Sequence, residues 1–584
     1  MPAQDFTNQL LVDIAGQRLA ADVAALLVEG IVDDSRTSPD LFSLRFRDPA
    51  NVVVEKARVE IGAAVTLAVA SNESRTPLPL LVGEVTALEK EADGTGTFTV
   101  IRGLDKSHRL RGRRVASFRE MTAADVAKRV AKNAGIEVGQ VDPTPTVFEQ
   151  VSQGNATDWE FLRMLAADVG VELSVESGKL EFRKPTKAGD APAGHEGAAQ
   201  SALVLEVGRN VLRLRAVVTS AEQVPSVEVR GWDDTQKRAV VGTAPAATTV
   251  AEVGAKPADL AKAFNAPVLV ATHTPYATQS EVDAAAKALA EQVAGGFAEL
   301  EAVIRGNPQV RAGTAVALAN AGKPFDGKYT VTATRHVFEP DTGYTTWVTV
   351  SGFQDRTLYG LVAGTTDAAA QGSLGVVVGQ VSDNRDPDVR GRVRLTFPWL
   401  SDDYVSDWAR TVQPGAGGKR GALVVPEVGD EVLVAFEQGS FQRPYVLGGL
   451  HNGIDLPDEG EVPLVDKGSG AVNRRAIVSR TGHRLEMVEA ANGPQGVRLA
   501  TGDGKLTLDL DQKQTRITVH SDGTVEIEAR NGVTIDAGTG SLKLTGQDIA
   551  LSAKTGIKVD GGAGDVKVSS STTCTIQAGL VRIN

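Results

Sequence analysis

The last sixty residues alternate in short bursts. An apolar residue, a polar residue and a second apolar residue are followed by a few Gly, Asn, Asp, Ser or Thr. The pairs are Val525/Ile527, Val533/Ile535, Leu542/Leu544, Ile549/Leu551, Ile557/Val559, Val566/Val568, Cys574/Ile576 and Val581/Ile583. They recur every 7–9 residues. A spacing of two puts both side chains of a pair on one face of a strand, and the intervening residues permit a corner. Each octad therefore predicts one short strand and one turn. Sixteen small apolar side chains gain at most about 25–50 kcal/mol by burial. Ordering about sixty backbones costs roughly 60–120 kcal/mol. One chain with no facing layer realises only part of the gain. Three identical chains wound about one axis bury every pair and leave no open strand edge. A single-chain β-solenoid is the alternative, although solenoids usually have longer repeats and larger core residues.

Earlier in the chain, strand-like alternation is broken by three helical patterns. In "MTAADVAKRVAKNAG" Thr122 is the expected N-cap, Val126 and Val130 share a face, and Gly135 is the stop. "TDWEFLRMLAADVG" offers Thr157 and Glu160 as a capping box and Gly170 as C-cap. A third helix is expected near "SEVDAAAKALAEQVAGG", with Ser280 and Asp283 at its start. Two regions also look duplicated. Gly62, Gly83 and Gly103 match Gly313, Gly327 and Gly352, each set leading or closing comparable strands. This predicts two related β-rich domains, the alternative being chance likeness between two meanders. Residues 373–450 hold five strand-like runs separated by polar turns, which suggests a small OB-type barrel.

Composition narrows the class of function. The chain has 584 residues and a net charge of −12, which disfavours a nucleic-acid partner. No apolar window is long enough for a transmembrane segment, and the first residues do not read as a signal peptide. Folding and assembly in the cytoplasm are expected. Cys574 is the only cysteine, so no intrachain disulfide or cysteine-based zinc cluster is possible. No two of the seven histidines lie within five residues of each other, so a metal-binding His-Glu-x-x-His helix is absent. "PGAGGKRG" lacks both a following helix and a Lys-Ser/Thr pair, and reads as a hairpin rather than a phosphate cradle. "DNRDPDVRG" clusters Asp383, Asp386 and Asp388 but reads as a polar turn rather than a calcium loop. Asp402 and Asp403 read as solvated. No cofactor, catalytic residue or metal ligand is expected.

Several stretches carry a specific resemblance. "DPDVRGRVRLTFPWLS", "WARTVQPGAGGKRG" and "PEVGDEVLVAFEQGSFQRPYVLGGLHNG" resemble the OB domain of contractile-tail spike proteins. These include phage baseplate assembly protein V, the VgrG proteins of type VI secretion and the spikes of extracellular injection systems. The barrel signature is Asp386, Gly391, Trp399, Pro426, Gly429, Asp430 and Pro444. "LFSLRFRDP", "LVGEVTALE", "VIRGLDKSHRLRGRR" and "NATDWEFLRMLAADVGVELSVESGKLEFRKP" resemble the hub half of the same family.

The resemblance implies a mainly β fold with a few short helices: two related hub domains, an OB barrel and a C-terminal intertwined trimeric β-helix. The expected boundaries are 1–184 for the first hub domain with a helical insert, 185–200 for a flexible linker, 201–360 for the second hub domain, 361–372 for a linker, 373–450 for the barrel, 451–472 for a linker, and 473–584 for the needle. The implied role is a structural homotrimeric spike of a contractile injection machine. It would adapt a sixfold tube to a threefold needle and puncture the target envelope. Val525, Ile527, Val533, Ile535, Leu542, Leu544, Ile549, Leu551, Ile557, Val559, Val566, Val568 and Ile576 would form the trimer core. Val581, Arg582, Ile583 and Asn584 would form the blunt end that contacts a PAAR-type tip protein. Inner tube and baseplate proteins are the other implied partners, with effector cargo as a further candidate. Only about twenty residues separate barrel and needle, which leaves no room for the lysozyme domain of some phage spikes. No toxin follows the needle, and His520 lacks the His-x-His partner that binds iron at certain tips. The compact needle favours a phage-tail-like particle over type VI secretion. A tail-borne cell-wall hydrolase and a trimeric receptor- or glycan-binding fibre are the competing functions.

Overall fold

The computed structural model describes residues 8–71, 76–272, 274–340, 342–352 and 375–583. The expected linker 361–372 and the tip residue Asn584 lie outside the described residues. The chain divides into two compact units, Met1–Leu456 and Pro457–Asn584.

The first unit is built on one long antiparallel sheet. Its first repeat supplies β1 (Asn8–Ile14), β2 (Leu27–Ser35), β3 (Leu41–Arg47), β4 (Ala64–Ser71), β5 (Leu78–Asp93) and β6 (Gly96–Asp105). Alternation in β3 puts Phe42, Leu44 and Phe46 inward, where they meet Val32, Val65, Leu67 and Ile101. A helical insert follows. It contains β7 (Arg113–Thr122), α1 (Ala123–Asn133), β8 (Val147–Thr157) and α2 (Asp158–Val169). Thr122 and Thr157 cap the helices in capping boxes with Asp125 and Glu160, and Gly170 closes α2 in the left-handed conformation. The second repeat contains β9 (Val211–Val218), α3 (Gln279–Gly295), β10 (Ala298–Arg305), β11 (Ala315–Ala319), β12 (Gly327–Thr330), β13 (Ala333–Glu339) and β14 (Gly343–Val350). Helix α3 starts at Gln279, one residue before Ser280. Its N-cap is Thr278, paired with Glu281.

The two repeats share a strand order. The first runs β2-β3-β6-β5-β4, and the second runs β9-β10-β14-β13, with β12 pairing β11 in a small neighbouring sheet. The 16-residue β5, bulged between Val85 and Ala87, corresponds to β12 and β13 together. Gly62 and Gly313 precede β4 and β11, both with positive φ, as expected from their matched places in the sequence. The repeats join through β13 and β2, which pair from Ala333↔Ser35 to Phe338↔Gly30. One continuous sheet therefore crosses the seam.

Residues 185–200 are more than a flexible connector. Two 3-10 turns, Ala188–Asp190 and Gly194–Glu196, bury Ala188 and Ala191. Thr330 Oγ1 donates to Thr186 O (2.9 Å) and Lys328 Nζ to Gly189 O (2.8 Å). Small alanines among the polar residues let the segment lie flat on the second repeat.

The barrel follows as β15 (Val377–Asp383), β16 (Arg394–Thr396), β17 (Arg410–Thr411), β18 (Glu431–Phe436) and β19 (Pro444–Gly449), ordered β16-β15-β18-β19-β17. The bridges Val393↔Ala409 and Thr396↔Val405 tie the two ends of that row together. Its core is Val381, Leu395, Phe397, Val432, Val434 and Val446.

The second unit departs from a uniform needle. Residues 474–521 form an antiparallel meander of β20 (Arg474–Val478), β21 (Arg484–Glu489), β22 (Gln495–Ala500), β23 (Leu506–Asp511) and β24 (Arg516–Ser521). Here strands of five or six residues meet tight turns, three of the four containing Gly, and pair within one chain. The octads after Asp522 are too short to do so. The stretch 451–472, expected as a linker, contains ordered contacts: Val462 is buried and Val465 bridges Val472.

Candidate functional site

The barrel signature residues sit at its joints. Asp386 is buried. Its carboxylate accepts from the backbone N–H groups of Asp388 (3.1 Å), Arg390 (2.8 Å) and Arg392 (3.2 Å), and from the Arg392 guanidinium (2.7 Å). Hydrogen bonds from Arg392 and these amides hold the carboxyl well below the usual range, against the cost of burial. The Asp386 lone pairs are thus taken by protein donors within its own turn. No cluster suited to a metal occurs among the described residues. Gly391 and Gly429 adopt positive φ, and the Gly429 N–H donates to Val381 O (2.8 Å). Asp430 Oδ2 accepts from Glu427 N (2.8 Å), and Pro426 O accepts from Asn384 Nδ2 (3.3 Å). Trp399 Nε1 donates to Val378 O (2.7 Å), and Pro444 opens β19, buried. The "PGAGGKRG" segment forms the expected hairpin, with Lys419 at positive φ. Asp386→Ala is expected to cost about 2–3 kcal/mol locally. Hydrogen exchange should read this as roughly 30- to 160-fold faster amide exchange in β15 and β16.

The second unit presents apolar side chains with nothing over them. Cross-strand pairing aligns Ile477, Leu485, Leu499, Leu508 and Val519 in one row, and Met487, Val497, Leu510 and Ile517 in the next. Both rows lie on one face of the meander. Val525, the first octad residue, lines the same groove as the first row. The other face is polar, carrying Glu486, Arg498, Asp509 and Thr518, and the chain covers it itself. Arg474 pairs with Glu486 (3.0 Å) and Asp458 (2.6 Å), and Arg498 pairs with Glu461. A strap of residues 458–462 is thereby fixed over that polar face.

The predicted core positions continue the exposed pattern. Val525, Ile527, Val533, Ile535, Leu542, Leu544, Ile549, Leu551, Ile557, Val559, Val566, Val568 and Ile576 range from 54% exposed (Val533) to 73% (Val568). Val581, Arg582 and Ile583 are also exposed. Among the described residues after Asp522, the backbone bonds are two turn bonds, Gly540 to Ala537 and Gly564 to Gly561. The single chain does not wind into a solenoid.

A cluster that sequence inspection passed over lies at the hub seam. Asp34 and Asp40 are buried beside Arg311, and Asp105, also buried, donates its backbone N–H to Asp40 O. The only sequence hint is Asp105, two residues past the matched Gly103.

The five-stranded OB-type region is where the likeness to known proteins is most specific. The family model "Type VI secretion system/phage-baseplate injector OB domain" matches residues 377–451. Residues 377–451 thus carry an OB domain of the kind found in VgrG and phage-baseplate spike proteins. A second model, "Alg8 N-terminal domain", matches residues 90–339. The type VI secretion system spike protein VgrG2a of Pseudomonas aeruginosa is 31% identical over 88 residues, covering 14% of this chain and 10% of the relative. VgrG3 of Vibrio cholerae is 33% identical over 94 residues, covering 15% of this chain and 9% of the relative. The matches thus span about a tenth of these relatives' length. One chain of a Francisella PdpA–VgrG complex, solved in a half-lidded state, shares the fold at 8% identity and a TM-score of 0.52, covering 89% of this chain and 88% of that one. No described helix is long and apolar enough to cross a membrane.

Proposed function

We propose that this protein is the non-enzymatic homotrimeric spike of a contractile injection machine. The observation that carries the reading is the series of exposed apolar side chains that begins on the meander and recurs through the octads, uncovered in the single chain. Sister copies would cover it, each octad strand pairing with neighbours to form a stiff intertwined needle. In this reading 1–184 and 201–360 are hub domains, 373–450 is the collar and 473–584 is the needle with its meander base.

The hub supports the same stoichiometry. Within the chain, β13 of the second repeat pairs with β2 of the first. By the shared strand order, the equivalent contact joins β9 to the second half of β5. Among the described residues β9 pairs with β10 and, at Val211 only, bridges Val207, while Glu89–Asp93 of β5 pair with β6 alone. Pairing these edges between copies reproduces the seam. Six repeats, from three chains, would then form a ring that fits a sixfold tube above and a threefold needle below. Inner tube and baseplate proteins would contact the ring, a PAAR-type protein would cap Val581–Ile583, and sheath contraction would supply the force for puncture.

Sedimentation of the full chain at micromolar concentration is expected to give a trimer of three 61.2 kDa chains. A stable monomer overturns the proposal.

A further inference from the structure

The hub seam holds more buried acid than it has cations to match. Asp34 on β2 accepts from Arg311 Nε (2.5 Å) and Ala312 N (3.1 Å), which tie the first repeat to the second. Asp40, in the turn after β2, accepts from Ser35 N (2.9 Å) and lies 3.9 Å from the Arg311 guanidinium. Asp105 accepts from Ser107 N (3.0 Å), and its own N–H donates to Asp40 O (2.9 Å). The three aspartates are 6%, 6% and 3% exposed.

The remaining charged and titratable neighbours do not close the deficit. Arg36 is committed to Glu172 on the strand Glu172–Glu176. Glu176 of that strand adds another negative charge near Arg311. His336 on β13 is fully buried between Thr334 and the Tyr344 hydroxyl. Burial, then Arg311, pushes it down to about 3, so it is neutral. One guanidinium therefore serves three buried carboxyls.

We propose that the seam is a proton-controlled latch: Asp34 pairs with Arg311 across the seam, while Asp40 and Asp105 hold it closed by retaining protons, and their loss loosens it. Burial raises Asp105 to about 7. Asp40 rises well above the usual carboxylate range through burial, then through Asp34 and Asp105, with Arg311 opposing. The sign follows from linkage. A carboxyl raised in the folded state contributes stability that is complete below its unfolded value of 3.8 and is lost as pH climbs to about 7. This seam is tightest in acid and weakest at neutral pH, the reverse of ordinary acid denaturation.

Hydrogen exchange on the full chain tests it. After correction for intrinsic rates, protection of the β2 and β13 amides should fall by up to about tenfold per pH unit between roughly pH 4 and 7. Asp40→Asn and Asp105→Asn should each flatten the fall, and the fall in the barrel strands should be smaller. An infrared C=O stretch from a buried carboxylic acid should be present in the unaltered chain at about pH 5.5, fade by about pH 8, and weaken in Asp105→Asn, which keeps the test decisive if Asp40→Asn does not fold. Protection independent of pH, or a slope unchanged in both single variants, overturns the latch.

Discussion

Ile557→Asp is expected to abolish the trimer, or to truncate its ordered needle at that level. Three copies would bring three carboxylates to one height on a shared axis. Each isoleucine lost forfeits about 1.5–3 kcal/mol of burial. Each aspartate placed there without a partner costs several kcal/mol more in desolvation. Lys558→Asp is the control. Lys558 lies between Ile557 and Val559, so it points to the opposite side of the strand, and its substitution should leave the trimer intact. Sedimentation and resistance to heat and detergent separate the two variants. A trimer that tolerates Ile557→Asp as well as Lys558→Asp would mean that the apolar pairs are not the core.

Arg311→Leu should be nearly as damaging, and for a different reason. Removing the guanidinium leaves Asp34, Asp40 and Asp105 buried with no cation. Breaking a buried pair by removing one partner typically costs about 3–5 kcal/mol. The loss should depend on pH. Near pH 7.5 the uncompensated carboxylates carry the full penalty. Towards pH 4.5 they protonate, and the deficit against the unaltered chain should shrink. Thermal unfolding at the two pH values reads the difference, which should be larger at the higher one. An equal deficit at both would assign Arg311 a packing role only.

Much of this architecture was legible because local pattern carried it. The octads announce themselves through a spacing of two within pairs and about eight between them. The caps at Thr122 and Thr157 follow from residues three positions apart, and the barrel from its turn residues. What the sequence concealed depends on distant partners. Asp34 and Asp40 look like solvated acids until Arg311, some 270 positions later, folds back onto them. Residues 185–200 are rich in Ala, Gly and Pro, so they read as loose, and only the second repeat shows what Ala188 packs against. The meander was merged with the needle because both alternate with period two. Strand length and the Gly-containing turns distinguish them, since strands of five or six residues fold back on their own neighbours and three-residue strands do not.

The uncovered rows have a consequence for how the particle is made. If sister copies cover the tail, as proposed, the chain matures by a bimolecular or higher-order step, and its yield should rise with concentration more steeply than that of a self-sufficient fold. Dilute synthesis would leave sticky ribbons awaiting sisters, vulnerable to proteases and to mispairing. Neighbouring ribosomes on one message would supply those sisters at high local density, making the crowding of translation itself a determinant of how many finished spikes a cell obtains.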